Sequence, residues 1–248
     1  MRTRDYAPGG YRYIEGVFQY SGGVRAMAGF EIVRVRFREP VPLEEGFARI
    51  ERHLGVAGRS PAAFCACELR SPEPFSEAGF RAFNEAYVGV LERWGIYREG
   101  HNPIARSNVC PEIAPPPAPA FHAFSYTRPA AGNTPSFVIA GSGEVPEGHA
   151  NYRDHIVASG DTSPAGMREK ADWVIGEMER RLAALGLSWA DTTDTQVYTV
   201  QDLQSALARN ILGGGSARLS FIWHLARPPI EGLEFEMDCR GVGVELIY

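Results

Sequence analysis

No run of this chain approaches the roughly 20 consecutive apolar residues that a membrane-spanning helix requires, so no membrane partner is expected. The opening residues, MRTRDYAPGG, carry charge but no apolar core of the kind a secretory leader has, and a cytoplasmic location is the expectation. An excess of positive charge is also missing. Lys and Arg number 25 against 30 Asp and Glu, a formal net charge of -5. Non-specific nucleic-acid binding needs a basic surface, so no nucleic-acid partner is expected. Cysteine is sparse: Cys65, Cys67, Cys110 and Cys239 form no CxxC pair and no zinc-type array with the scattered histidines. No metal is expected, and the thiols read as small buried hydrophobes. The GGG at 213–215 lacks the Lys-Ser/Thr that a phosphate loop needs. Ser142 lacks the G-x-S-x-G elbow of a serine hydrolase.

What is present is ordinary globular composition, 44% hydrophobic and 22% charged over 248 residues, together with an internal repeat. RIERHLGVAGRSPAAFCACELRS (49–71) aligns without a gap on EMERRLAALGLSWADTTDTQVYT (177–199), an offset of 128. Around both copies the periodicity is the same. Leu43, Phe47, Ile50 and Leu54 recur at helical spacing in the first, and Met167, Ala171, Val174, Met178 and Leu182 in the second. Ser163-Pro164 is a helix start; Gly58 and Gly186 sit where helices end in a left-handed residue. Strand-like runs follow at 63–69 and 194–200. A second helical stripe comes after each: Phe80, Phe83, Tyr87, Leu91 and Trp94, then Leu203, Leu207 and Ile211. Strands at 29–37 and 136–141 open the copies; runs at 105–113 and 120–126, then 219–225 and 233–244, close them. The expectation is an α+β protein of two units, 1–128 and 129–248, each a mixed sheet with two helices on one face. The APPPAPA run at 114–120 reads as a stiff connection inside the first unit.

Several segments resemble the Rid family of small enamine/imine deaminases: QYSGGVRA (19–26), FNEAY (83–87), ARSNV (105–109), SFVIAGSGEVPEG (136–148), SARLSFIW (216–223) and LEFEMDCRGV (233–242). Within that family the chain looks closest to the two-repeat deaminases of 2-aminomuconate-type compounds, known from the degradation of aromatic compounds. The chorismatases, hydrolases with related two-part folds, are the alternative, and a non-catalytic module that binds small carboxylates is the competing reading outside enzymes. The resemblance implies cofactor-independent hydrolysis of an enamine or imine with release of ammonia, from a small carboxylate substrate. It also implies a homo-oligomer, with a trimer favoured.

Such chemistry needs a carboxylate clamp and a group that moves protons. Arginine suits the first, because its planar fork binds a carboxylate bidentately. The resemblance carries the family's substrate-binding arginine onto Arg106 and Arg218 and its site glutamate onto Glu234, with Glu236, two residues on and on the same strand face, as the fallback acid/base. It carries further binding positions onto Asn84, Tyr20 and Ser220, with Asn210 as the counterpart of Asn84 in the second copy. Where the second copy has Glu234, the first has Ala120, Phe121 and His122, which implies that the first copy lacks the acid/base group.

Overall fold

A computed structural model describes residues 1–132, 134–149, 151–203 and 220–248. The first half runs β1 (Thr3–Tyr6), β2 (Tyr11–Ile14), β3 (Gly23–Ala26), β4 (Phe30–Pro42), α1 (Leu43–Val56), β5 (Phe64–Arg70), α2 (Glu77–Arg93), β6 (Ala105–Pro111) and β7 (Ala120–Pro129). The second half supplies β8 (Phe137–Gly143), α3 (Pro164–Ala184), β9 (Asp194–Tyr198), β10 (Phe221–His224), β11 (Ala226–Arg227), β12 (Glu236–Gly241) and β13 (Val244–Ile247). The protein is α+β, with two mixed sheets.

Local chemistry sets the helix ends. Ser76 and Ser163 cap α2 and α3 by accepting from the backbone N–H groups of Gly79 and Gly166, both at 3.2 Å, and Pro164 occupies the first turn of α3. Beyond α1 and α3, Gly58 (φ 67°) and Gly186 (φ 69°) take the left-handed conformation. Of the second helical stripe in the second half, Leu203 is buried, while Leu207 and Ile211 lie outside the described residues.

One sheet runs β1-β2-β3-β8-β12-β9-β10 and the other β11-β6-β5-β7-β4-β13. Both contain the same four-stranded core. In the second sheet β5 pairs in parallel with β6 and antiparallel with β7, which pairs antiparallel with β4. In the first, β9 pairs in parallel with β10 and antiparallel with β12, which pairs antiparallel with β8. Sheet membership crosses the middle of the chain in both directions. The N-terminal strands β1–β3 extend the second half's sheet through β3–β8, and the C-terminal β13 extends the first half's sheet alongside β4.

Each sheet buries one face under helices. Phe47, Ile50 and Leu54 of α1 and Tyr87, Val88 and Leu91 of α2 pack on Cys65, Cys67 and Leu69 of β5. Met167, Val174, Met178 and Leu182 of α3 pack on Ile139, Val197, Met237 and Cys239. All four cysteines are free and buried in these layers or beside them, and burial pushes the thiols of Cys67 and Cys110 up to about 12. Between the two sheets the layer is polar instead. Ser107 donates to Asp238 at 2.6 Å, Tyr198 donates to the same carboxylate at 2.9 Å, and Arg70 lies 5.5 Å from the centre of the Tyr198 ring. Arg34 forks onto Glu68 at 2.6 and 2.8 Å. The strand alternation decides this: on β5 residues 65, 67 and 69 face the helices, leaving Glu68 and Arg70 for the other sheet.

Among the described residues, no helix is long and apolar enough to cross a membrane.

Candidate active site

The sheets meet where β6 runs past β8, and a small cavity of about 40 Å³ opens there. It is bounded by Tyr20, Phe80, Arg106, Asn108, Glu147, Tyr152 and Glu236, with the bare backbone of Gly141–Gly143 as its floor. A wider cavity of about 430 Å³ lies beyond Phe80 and Tyr152, which border both; Gln19, Asn84 and His149 line it.

Arg106 is the dominant charge. It is 3% exposed and its Nη1 has no hydrogen-bond partner. No carboxylate among the described residues forms an ion pair with it. Four rings surround the guanidinium carbon: Tyr87 at 4.9 Å, Tyr20 at 5.2 Å, Phe83 at 5.4 Å and Phe80 at 5.9 Å. Each ring contributes about 0.5–2 kcal/mol. Burying an isolated cation costs several kcal/mol, so the rings offset only part of it and the site favours an incoming anion.

Glu236 is the dominant acid. It is 4% exposed, and burial together with the neighbouring Asp238 carboxyl holds its own carboxyl well above the usual range, against the opposing pull of Arg70 and Arg106. The surroundings therefore favour its neutral, proton-carrying form. Its position depends on Gly141: a Cβ built there would overlap the Glu236 carboxyl.

The structure brings Tyr20, Arg106 and Glu236 to one cavity and leaves Asn84 on the neighbouring one. Asn84 is 1% exposed, and neither its amide oxygen nor its nitrogen has a partner. Glu234 is placed elsewhere. Its carboxylate accepts from Gln201 at 2.9 Å and faces a different cavity, lined by Arg153, Asp154 and Glu231. The reason is the period of a strand approach: Glu236 is the first residue of β12, and Glu234 precedes it where the chain has already left the sheet. Ser220 also lies apart, bordering a third cavity with His122, His224 and Arg240. Arg218 and Asn210 lie outside the described residues.

The repeated register explains the division of labour. Residue 67 of the first copy aligns on residue 195 of the second. Cys67 pairs with Arg106, whereas Thr195 pairs with Phe221. Arg70 pairs with Ala120, whereas its counterpart Tyr198 pairs with Glu236. The first half thus holds the arginine and an alanine, and the second a phenylalanine and the glutamate. One cavity collects an ionisable group from each.

Glu147 and Tyr152 were not legible in the sequence, because they lie in the long connection after β8 that has no periodic signal. Glu147 is held at 2.8 Å by Arg181, a fully buried side chain of α3 that also donates to the carbonyl of Ala140 at 3.1 Å. Asn108 could have been found, since it follows Arg106 by two and shares its strand face. It accepts from Ser71 at 3.0 Å. Among the described residues no cluster of His, Cys, Asp and Glu has the arrangement of a metal site.

Comparison with known proteins agrees with the sequence resemblance. The family described as 2-aminomuconate deaminase CnbZ matches residues 3–246, and the chain belongs to that family. A 2-amino-5-chloromuconate deaminase of Comamonas testosteroni is 52% identical over 244 residues, covering 98% of this chain and 97% of its own. Among solved structures, a chorismatase aligns over 92% of this chain and 79% of its own, with 13% identity and a TM-score of 0.49. The YjgF gene product of E. coli aligns over 44% of this chain and 80% of its own, with 15% identity and a TM-score of 0.32.

Proposed function

We propose that the protein hydrolyses the enamine or imine of a 2-aminomuconate-type dicarboxylate and releases ammonia without a cofactor. The observation that carries this reading is the pairing, in one cavity, of a buried arginine with no ion-pair partner among the described residues and a buried glutamic acid whose carboxyl is pushed up by burial. Family membership and the Comamonas relative support the substrate class.

Arg106 takes a substrate carboxylate, replacing the missing counter-ion. Glu236 gives its proton to the enamine carbon next to the nitrogen-bearing carbon, which turns the enamine into an iminium. The glutamate then takes a proton from water as its oxygen bonds to the iminium carbon. When the resulting carbinolamine collapses, Glu236 returns that proton to the nitrogen, the C–N bond breaks with release of ammonia, and the hydroxyl gives its own proton to Glu236 as the C=O bond forms. The carbon is left as a ketone, so one water is consumed and Glu236 ends protonated as it began. The inner cavity is too small for a six-carbon diacid. The remainder of the chain passes Phe80 and Tyr152 into the outer cavity, where the unpartnered amide of Asn84 is available to it.

The working form in this reading is a homo-oligomer, with a trimer favoured. Exposed Trp223 and Leu225 near one sheet edge and exposed Leu246 and Ile247 on another offer apolar surface for contact between copies, and sedimentation of the purified protein measures the state directly. A cytoplasmic location belongs to the same proposal.

The deciding experiment is ammonia release from freshly generated 2-aminomuconate and its 5-chloro analogue, with the Glu236→Gln variant in parallel. Release far above the spontaneous rate in the wild type, and at that rate in the variant, is the expected result. Wild-type release at the spontaneous rate would discard the reading.

A further inference from the structure

Behind the cavity lies an ion pair with no exposed atom on either side chain. Lys170 of α3 and Glu144, the residue after β8, are 0% exposed, with Nζ 3.2 Å from Oε1. Replacing a buried pair of this kind by apolar packing is often neutral or stabilising, so its presence calls for a role other than adhesion. Its other contacts supply one. Glu144 Oε1 accepts from the backbone N–H of Glu234 at 2.7 Å, and Oε2 from that of Phe235 at 3.0 Å. Those are the two residues directly before Glu236. The β8–β12 ladder ends at the pair Gly143–Glu236, so the carboxylate takes over the holding of β12 where the ladder stops. Lys170 also donates to the carbonyl of Val157 at 2.8 Å, while the Val157 N–H donates to the Glu144 carbonyl at 2.9 Å. The connection so tied carries Glu147 and Tyr152, two walls of the cavity.

We infer that Lys170 is a positioning residue: by holding Glu144 ionised and fixed, it clamps the start of β12 and sets the Glu236 carboxyl over Gly141. An ionised carboxylate can accept from both N–H groups at once. A protonated one presents a hydroxyl on one side and loses one of them. Burial pushes the Glu144 carboxyl up, opposed by the backbone N–H groups it accepts from and by the Lys170 cation; removing that cation shifts the balance toward the protonated form. The start of β12 then loosens by one hydrogen bond, two residues or fewer from the acid. Groups that face Glu236 are Arg106 on β6, Arg70 on β5, Asp238 on β12 and Glu144 itself, so a displaced carboxyl also meets a changed field.

The inference rests on Glu236 being the acid of the proposed reaction, and its test is built to separate the two. Lys170→Met keeps most of the stem and removes the charge. Glu144→Gln keeps one acceptor and serves if the first variant fails to fold. The Glu236 carboxyl is followed by 13C NMR titration, assigned with Glu236→Gln, alongside kcat, KM and the pH profile. In the folded variants kcat is expected to fall about tenfold or more while KM stays within about threefold, as for a loss felt in the transition state alone. The Glu236 titration midpoint is expected to move by about half a pH unit or more. The double variant Lys170→Met/Glu144→Gln removes both charges and should not restore kcat, because one N–H still lacks its acceptor. A lowered Tm with kcat, pH profile and titration unchanged would reduce the pair to a structural role and overturn the inference. If the wild type releases no ammonia from 2-aminomuconate, the proposed reaction fails, and the titration alone still decides whether Lys170 positions Glu236.

Discussion

At the scale of single residues, the chemistry turns on one cation without an ion-pair partner and one carboxyl that burial pushes up. Arg106→Lys keeps the charge but loses the fork and the fit to four rings. A rise in KM of about tenfold or more, with a smaller change in kcat, is the expected steady-state result. Glu236→Gln removes the proton donor, and its stability carries a second signature. The Glu236 carboxyl is raised in the folded state, so folding is least hindered below its unfolded value, near pH 4.3. Stability is lost as pH climbs from there toward the folded value. The amide does not ionise, so the variant should melt higher than the wild type at pH 7, with the gap closing near pH 4. Equal melting temperatures at both pH values would contradict the raised carboxyl. Glu234→Gln, two residues away but facing another cavity, should leave ammonia release within about threefold, since the amide keeps the side chain's size and an oxygen to accept from Gln201.

The next scale is that of strands and helices. The cavity floor exists because β8 places a glycine opposite the acid. Gly141→Ala puts a methyl group where the Glu236 carboxyl sits, with the Ser107 backbone on β6 also 3.2 Å away. Overpacking of this kind costs about 1–3 kcal/mol. A fall in Tm, together with a loss of activity larger than the unfolded fraction explains, is the outcome to look for by calorimetry and assay on one preparation. On the other side, α2 presents Phe80, Phe83 and Tyr87 at helical spacing. The stripe that the sequence shows as core is therefore also the aromatic cage of Arg106. Such double use is invisible to periodicity, which reports that a face is buried but not what it is buried against.

Across the whole molecule, two apolar layers enclose a polar one. Burial and nearby arginines push the His122 imidazole down to about 3 and that of His224 to about 4. Both are neutral in the folded protein and protonate freely in the unfolded chain near pH 6.5. Their contribution to stability is full above that value and is lost as pH falls from about 6.5 toward the folded values. His122→Gln should flatten the acid side of the stability curve over that window, measured by urea unfolding at successive pH values. An unchanged slope would show that His122 is not held neutral between the sheets.

The Ser163 cap, the left-handed Gly58 and Gly186 and the stripes of α1, α2 and α3 were legible in the sequence, because each depends on neighbours a few residues apart. Short motifs singled out Tyr20, Arg106 and Asn84, and the structure places the first two on the inner cavity and the third on the outer one. The sequence did not separate Glu234 from Glu236, because both fit the spacing and the difference lies in where β12 begins. Nor did it show that β1–β3 and β13 are exchanged between the sheets, that Glu147 and Tyr152 close the cavity, or that Lys170 reaches the strand of the acid. These are contacts between residues far apart in the chain, and chain order carries no record of them. Local periodicity determined the elements of this protein. Which arginine faces which glutamate was decided only when two sheets, each built around the core strands of one half, were brought face to face.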